Sequence, residues 1–219
     1  MKPNGLRPVR MVAALLVCVS LAGQGGCVSA LATALYVIKG ANVPAAFNGL
    51  KDQRVAVVCR PVAELEYSST SAATDISVAV GRLLKKNVRH IKLIDPAKIA
   101  DWTDENTWDD YTEIGEALEA EMVLGIDLEG FALLQGQTLY QGKAKVLITV
   151  YDMKKGGEIV YQKPLPQTVY PPNSSIPTQD KPEDEFRRQF VAVVADEIGR
   201  HFYAHDAHAD FAKDSMALK

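Results

Sequence analysis

The stretch Arg54-Val55-Ala56-Val57-Val58-Cys59-Arg60 decides how the folded part of this chain begins. Its run of valines is typical of a buried β-strand, and Pro61 ends that strand. After a polar loop at Ser68–Ser71, apolar side chains recur at helical spacing and predict a helix over residues 72–87. The folded part is therefore predicted to start with a strand followed by a helix.

The next segment alternates between strand and helix signals. Ile91–Ile94 predicts a short strand, and Asp95-Pro96 predicts a helix start, with an oxygen acceptor at the cap and proline in the first turn. Thr107, with Asp110 three residues later, predicts a second helix start. Ile114 and Leu118 form the apolar side of that helix.

Beyond residue 122 the apolar period changes from helical spacing to two. Met122–Phe131 and Lys143–Asp152 both alternate, and Glu158–Gln162 returns after a tight turn at residues 154–157, which predicts an antiparallel meander. Thr168–Pro182 is proline-rich without a period and is predicted to be a long surface loop. Apolar residues from Phe186 to Phe202 predict a long amphipathic helix.

The resulting order, β-α-β-α-α-β-β-β-α, predicts a single α/β (α+β) domain. Its mixed sheet would have about five strands, with helices mainly on one face. We expect an export signal over residues 1–26, a membrane-proximal linker over 27–52, the domain over 53–205 and a polar tail over 206–219.

The front of the chain has the layout of a bacterial export signal, with no charged residue between Arg10 and Lys39. Basic residues precede the apolar stretch Met11–Leu21, and the small residues 22–26 then lead to Cys27, which is the candidate for lipidation. Gln24 departs from the usual lipobox, so two alternatives stay open. Cleavage after Ala30 would release a soluble secreted protein, and an uncleaved segment 11–38 would act as an anchor. All three readings take the protein out of the cytoplasm.

Charge is distributed unevenly along the chain. The net charge is −3, and the first 51 residues carry five basic and no acidic side chains, so the remainder carries −8. A body of that charge argues against binding nucleic acid by a broad basic surface. Val28 and Ser29 follow Cys27 without an acidic retention signal, which favours an outer-membrane location facing the periplasm.

The three cysteines have different expected fates. Cys18 lies inside the apolar core of the signal and leaves with it, whereas Cys27 is modified. Cys59 then remains as a free thiol that packs as a small apolar side chain, so no intramolecular disulfide is expected.

Three side-chain groups are candidates for chemistry. His201, His205 and His208 are spaced by four and three, which puts imidazoles on one helix face, where they could share a metal; a solvated helix end is the simpler interpretation. Trp102 and Trp108 flank an acidic stretch and could line a ligand pocket, although they more often hold helices on a sheet. Asp127 and Glu129 could act as paired carboxylates, or form salt bridges with Lys143 or Lys145. We predict no cofactor.

Two segments carry a family resemblance that covers residues 53–205. Ile114–Gly125, ending in Met122-Val123-Leu124-Gly125, and the hairpin Val150–Val160 resemble the amino-terminal domain of TolB and the periplasmic domain of the curli-secretion lipoprotein CsgG. The resemblance implies an accessory role in envelope assembly or secretion, without catalysis, and carries over no active-site residue.

The sequence therefore predicts an exported, lipid-anchored envelope protein that acts through contacts with other envelope proteins or with copies of itself. The alternatives are an envelope ligand-binding protein or enzyme with a pocket near Trp102 and Trp108, and a metal-binding protein that uses the C-terminal histidines.

Overall fold

The long alternating strands predicted around residues 122–152 form the centre of the sheet. The structure, a computed structural model, describes residues 42–62 and 66–206, with side chains at 43–62 and 71–206. In chain order the elements are β1 (Asn42–Val43), β2 (Arg54–Pro61), α1 (Glu66–Asn87), β3 (Lys92–Leu93), α2 (Pro96–Glu105), α3 (Tyr111–Ala117), β4 (Met122–Gln135), β5 (Leu139–Asp152), β6 (Glu158–Pro164), β7 (Thr168–Tyr170), β8 (Ile176–Pro177), α4 (Glu183–Gly199) and β9 (His205–Asp206).

The main sheet is mixed and has the strand order β3-β2-β4-β5-β6. Strand β2 pairs in parallel with both β3 and β4, whereas β4, β5 and β6 pair antiparallel as the predicted meander. Two short strands, β7 and β8, pair with the beginning of β5. The register between β2 and β4 places Arg60 opposite Asp127.

Helices lie on both faces of the sheet, and the two longest share one face. Val55 and Val57 belong to the main core, which includes apolar residues of α1 and α4. The intervening Ala56 and Val58 belong to a smaller second core with residues of α2 and α3. Because successive strand residues point to opposite faces, β2 is buried from both sides. This is the α/β class with a mixed sheet that the sequence predicts.

Helices α1 and α4 end at the same end of the sheet, near the amino end of β2. Arg187, early in α4, contacts Ser71 and Asp75, in the first half of α1, the latter at 3.0 Å, and residues 47–52 bridge the other ends of the two helices, which therefore run in the same direction. At their far ends, the Asp52 N–H donates to the Arg89 carbonyl and the Phe47 N–H donates to the His201 carbonyl. We call this the proximal end, because residues 48–53 lead into β2 there. The opposite end is the distal end.

Several predicted boundaries are wrong, each for a local physical reason. Helix α1 begins at Glu66 rather than at 72, because Ser and Thr lower helix propensity only slightly and Ala72, Ala73 and Ile76 are buried. Helix α3 is capped by Asp110 instead of Thr107, because Asp110 and Glu113 form a reciprocal capping box.

Two further differences concern the last third of the described chain. Thr168–Pro182 is not all loop, because Tyr170 and Ile176 are buried and their strands pair with β5. Helix α4 ends at Gly199 and does not reach Phe202, although Phe202 is still buried in the main core. The predicted signal, Cys27 and most of the C-terminal tail lie outside the described residues. Within residues 42–62 and 66–206, no helix is both long and apolar enough to cross a membrane.

Candidate functional site

A charged and aromatic cluster occupies the distal end of β2. The Arg60 Nε donates to Asp127 Oδ1 at 2.8 Å, and Arg60 Nη1 donates to the Asp109 carbonyl at 2.7 Å. The Tyr111 hydroxyl donates to the same Asp127 oxygen at 3.0 Å. We call Arg60, Trp108, Tyr111 and Asp127 the Arg60 cluster.

The Arg60 guanidinium also lies over two aromatic rings. Its central carbon is 4.5 Å from the centroid of Tyr111 and 5.5 Å from that of Trp108. The two rings lie 5.5 Å apart. A guanidinium over an aromatic face gains cation–π attraction in addition to its hydrogen bonds. The Arg60 guanidinium thus stacks on two aromatic rings and donates a hydrogen bond to a carboxylate, while 37% of its side chain remains exposed.

The electrostatics of the cluster favour fixed protonation states. Burial raises the pKa of Tyr111 well above its usual range, and the Asp127 charge raises it further. Burial lowers the pKa of Arg60, but the hydrogen bond to Asp127 and the nearby phenols and carboxylate outweigh it and raise the pKa overall. Tyr111 therefore stays a neutral donor and Arg60 stays a cation. The arrangement can hold a loop in place or present a charge.

Local sequence explains how the cluster is built. The Asp110 cap starts α3 so that Tyr111, its first residue, turns towards the sheet. Gly125 on β4 leaves the space for that ring, since a Cβ there would lie 2.9 Å from it. Arg60 is not among the site residues that the sequence predicts. The available signal was a basic residue at the end of a valine-rich strand, whose partner Asp127 lies 67 positions away.

The tryptophans predicted to line a pocket both lie half-buried against the second core. Trp108 contributes its ring to the Arg60 cluster, as described above. Neither of the two cavities described below is lined by Trp102 or Trp108. In this structure the two indoles pack helices α2 and α3 against the sheet.

The structure gives Asp127 and Glu129 separate partners. A register shift between Leu128 and Gly130 interrupts the β4–β5 ladder at Glu129. Glu129 Oε2 lies 2.8 Å from Lys145 Nζ, one of the two salt bridges that the sequence suggested, whereas Asp127 is held by Arg60. Each carboxylate is thus neutralised by its own base, which does not favour a shared acid–base role.

Cys59 lines a cavity of about 70 Å³ between β2, α1 and α2. It is half-buried and packs against the main core, as its predicted role requires. Burial raises the pKa of the thiol far above its usual range, and the Asp127 charge raises it further. Because the thiolate is the nucleophilic form, this environment suppresses its reactivity.

A larger cavity of about 350 Å³ lies between the β6–β7 connection and the end of α4. Glu197 and His201 line it, together with residues of the connection. The His201 Nδ1 lies 2.9 Å from the Tyr161 hydroxyl, and burial lowers the pKa of His201. The volume falls within the range of small-molecule sites, roughly 300–1,000 Å³, and this histidine would meet a ligand in its neutral form.

Two of the three histidines predicted to share one helix face, His201 and His205, do not lie on a helix. Helix α4 ends at Gly199, so His201 lies in the turn that follows and His205 lies in β9. His208 lies outside the described residues. Across the described ranges, no group of three or more His, Cys, Asp or Glu side chains could hold a metal ion.

No protein-family model and no curated protein matches this chain. Among solved structures, the chain is similar to a PelC dodecamer from Paraburkholderia phytofirmans, at 10% identity and a TM-score of 0.45, over 74% of this chain and 96% of that one. It is also similar to lipoprotein GNA1162 from Neisseria meningitidis, at 8% identity and a TM-score of 0.42, over 66% and 96%. A minor lipoprotein from Acinetobacter baumannii matches at 13% identity and a TM-score of 0.32, over 67% and 89%. The fold class stated above rests on this chain's own sheet order and packing.

Proposed function

We propose that this chain is an exported cell-envelope protein, anchored by a lipid on Cys27, whose α/β domain acts through protein–protein contacts and not through catalysis. The observation that carries the proposal is the order of basic, apolar and small residues that ends at Cys27. We further propose that the anchor lies in the outer membrane and that the domain faces the periplasm.

The geometry of the domain supports an anchored arrangement. The chain leads into β2 at the proximal end, where residues 48–53 run beside Arg89 and His90. Val43 lies 16 positions after Cys27, and this segment spans at most about 55 Å when fully extended. An anchor at Cys27 would therefore keep the domain within reach of the membrane, and the distal end, with the Arg60 cluster, can meet partners.

The state of the reactive groups supports a non-catalytic role. The Cys59 thiol and the Tyr111 phenol both have pKa values raised by burial, so neither supplies a nucleophile or base near neutral pH. Asp127 and Glu129 are each held in an ion pair. A partly exposed arginine held over two rings suits recognition of another protein, because such residues are enriched at interfaces.

Metabolic labelling with a fatty-acid analogue tests the anchor. We expect the wild-type chain, Cys18→Ala and Cys59→Ala to take up the label in a bacterial host with a lipoprotein pathway, and Cys27→Ala to lose it. The mass of the mature amino terminus then separates cleavage before Cys27 from cleavage after Ala30 and from no cleavage. Label that persists in Cys27→Ala would overturn the proposal.

Membrane fractionation tests the proposed outer-membrane location. We expect the wild-type chain to fractionate with the outer membrane, and Val28→Asp, which places an acidic residue beside the anchor, to shift towards the inner membrane. Val28→Asn is the matched control, because it adds polarity without charge. Equal distribution of wild type and Val28→Asp would contradict the outer-membrane assignment.

A further inference from the structure

An exposed stripe of basic side chains marks the proximal end of the domain. Arg82, Lys85 and Lys86 are spaced by three and four residues on α1, which places them on one side of the helix, and Arg89 follows just after its end. All four are exposed. Residues 82–92 contain five Lys and Arg side chains and no acid. We call these four residues the basic stripe.

The stripe is not neutralised within the part of the chain that the structure describes. Among residues 43–62 and 71–206, no ion pair is found for Arg82, Lys85, Lys86 or Arg89. Of the acids at this end, Asp52 pairs with His90 and Lys51, and Glu121 pairs with Lys154, whereas Glu119 follows α3 on the opposite face of the sheet from α1. The positive charge of the stripe therefore faces solvent.

A purely local role explains only part of the stripe. Lys85 and Lys86 lie in the last turn of α1, where cations interact favourably with the helix dipole. Arg82 lies a turn earlier, and Arg89 lies beyond the last helical residue. Helix capping therefore leaves two of the four charges without a role inside the domain.

The basic stripe lies at the same end of the domain as the residues that lead into β2. The Asp52 N–H donates to the Arg89 carbonyl, and the Lys92 N–H donates to the Gln53 carbonyl at 2.9 Å. Asp52 and Gln53, which lead into β2, thus lie directly beside the end of the stripe. An anchor at Cys27 would leave this basic surface within reach of the lipid headgroups.

The rest of the domain has the opposite charge. Residues 101–119, on α2 and α3, carry eight acidic side chains and no Lys or Arg. The basic stripe on α1 and these acids on the side of α2 and α3 lie on opposite faces of the sheet, so an anionic surface attracts the first face and repels the second.

From these observations we infer that the basic stripe binds the anionic surface of the membrane that holds the anchor, and so fixes the proximal end against the headgroups. The inference rests on the proposed anchoring at Cys27. The acidic surface of α2 and α3 in a second copy offers complementary charge as well. We commit to the membrane because the described side chains begin at Val43, 16 positions after Cys27, so an anchored chain keeps the stripe within reach of the headgroups.

The test measures binding of the mature chain, residues 27–219 with Cys27→Ala, to lipid vesicles, so that neither the lipid nor the apolar stretch Met11–Leu21 contributes. The stripe variant adds Arg82→Glu, Lys85→Glu and Lys86→Glu. The control adds Lys143→Glu, Lys145→Glu and Arg188→Glu, which change the net charge equally but lie away from the proximal end. Circular dichroism confirms that all proteins are folded.

We expect the parent chain to bind vesicles that contain phosphatidylglycerol more tightly than vesicles of pure phosphatidylcholine, with binding that weakens as salt rises. Each basic residue near an anionic surface contributes roughly fivefold, so the stripe variant should lose at least about tenfold in partitioning. The control should lose less than about threefold.

Three outcomes would overturn the inference. The two triple variants could lose binding equally, or the stripe variant could bind as well as its parent. Alternatively, sedimentation velocity could show self-association that the stripe variant abolishes while vesicle binding persists, in which case a second copy covers the stripe. Fatty-acid labelling of Cys27 is scored separately in cells, so failure of the anchor and failure of the stripe give different results.

Discussion

Arg60 and Asp127 lie directly opposite each other on the parallel strands β2 and β4, and they are joined by a 2.8 Å bond from Nε to Oδ1. The pair is partly buried, with 17% of the Asp127 side chain exposed. Tyr111 donates to the same carboxylate. One carboxylate thus ties strand β2 and helix α3 to strand β4, and we expect the distal end to depend on it.

Removal of that carboxylate should destabilise the domain. Asp127→Ala removes the hydrogen-bond acceptor of the Tyr111 hydroxyl. It also leaves the Asp109 carbonyl as the remaining hydrogen-bond acceptor described for the Arg60 guanidinium. Loss of a partner for partly buried polar groups costs roughly 1–3 kcal/mol, so we expect the free energy of unfolding to fall by about 2 kcal/mol. Urea denaturation measures the change.

The matched control for Asp127→Ala lies two residues along the same strand. Glu129 forms an ion pair with Lys145, whose side chain is 62% exposed. Exposed pairs contribute less than about 1 kcal/mol, so Glu129→Ala should be nearly neutral. If both alanine variants unfold at the same urea concentration, the Arg60–Asp127 interaction contributes no more to stability than the exposed Glu129–Lys145 pair.

The space that Gly125 leaves for the Tyr111 ring should matter for stability as much as the hydrogen bond from the Tyr111 hydroxyl. In Gly125→Ala the new Cβ would lie 2.9 Å from the Tyr111 ring, so the ring must move away from Asp127. Overpacking of this kind costs roughly 1–3 kcal/mol. We expect a lower unfolding midpoint and altered tyrosine signals in near-ultraviolet circular dichroism.

Gly130→Ala is the control for that substitution on the same strand. Its nearest heavy atom would be the Lys145 Cβ at 3.6 Å, which is ordinary van der Waals contact. We therefore expect little change in stability. A Gly125→Ala variant as stable as Gly130→Ala would show that the Tyr111 site tolerates a methyl group.

The elements that the sequence predicted well are those with a local signal. The valine run of β2, the two-residue period of β4 and β5 and the Asp95-Pro96 helix start all depend on neighbouring residues, and the structure contains each. In the same way, the side chains of Cys59 and Glu129 have the environments expected from their strand positions. Local pattern therefore fixed the class of fold.

The features that were missed depend on partners far away in the chain. Strands β7 and β8 are short and rich in proline, and they exist because β5 offers them an edge. The Arg60 cluster requires the register of two strands 67 residues apart, and the end of α4 depends on packing beyond Gly199. No periodicity in a single segment carries such information.

The Cys59 thiol should react slowly in the folded chain. Burial raises its pKa, and the Asp127 charge adds to that effect. In a Cys18→Ala, Cys27→Ala background Cys59 is the one remaining cysteine. We expect alkylation by iodoacetamide at pH 8 to be at least about tenfold slower than in urea, because reactivity follows the thiolate fraction. Equal rates in the folded and unfolded chain would contradict the buried environment.

Stability should decrease under mildly acidic conditions because of His201. Burial lowers the pKa of its imidazole below the usual value near 6.5, and Lys163 adds to the effect, while Glu197 opposes it. As pH falls through 6.5, the unfolded chain takes up a proton that the folded chain does not. The free energy of unfolding therefore falls between 6.5 and the lower folded pKa, and this contribution levels off below it.

Comparison of the wild type with His201→Gln isolates that contribution. As pH falls from 7.5 to 5, we expect the free energy of unfolding to fall more for the wild type than for His201→Gln. The extra fall is at most about 1.4 kcal/mol per pH unit, which is the limit for one proton. Urea denaturation at each pH measures the two free energies.

Tyr161→Phe is the matched control, since it removes the hydroxyl 2.9 Å from Nδ1 of His201 and retains the ring that helps bury His201. Its pH dependence should follow the wild type, because burial is the main cause of the lowered pKa. Parallel curves for wild type and His201→Gln would show instead that the imidazole titrates alike in the folded and unfolded chain.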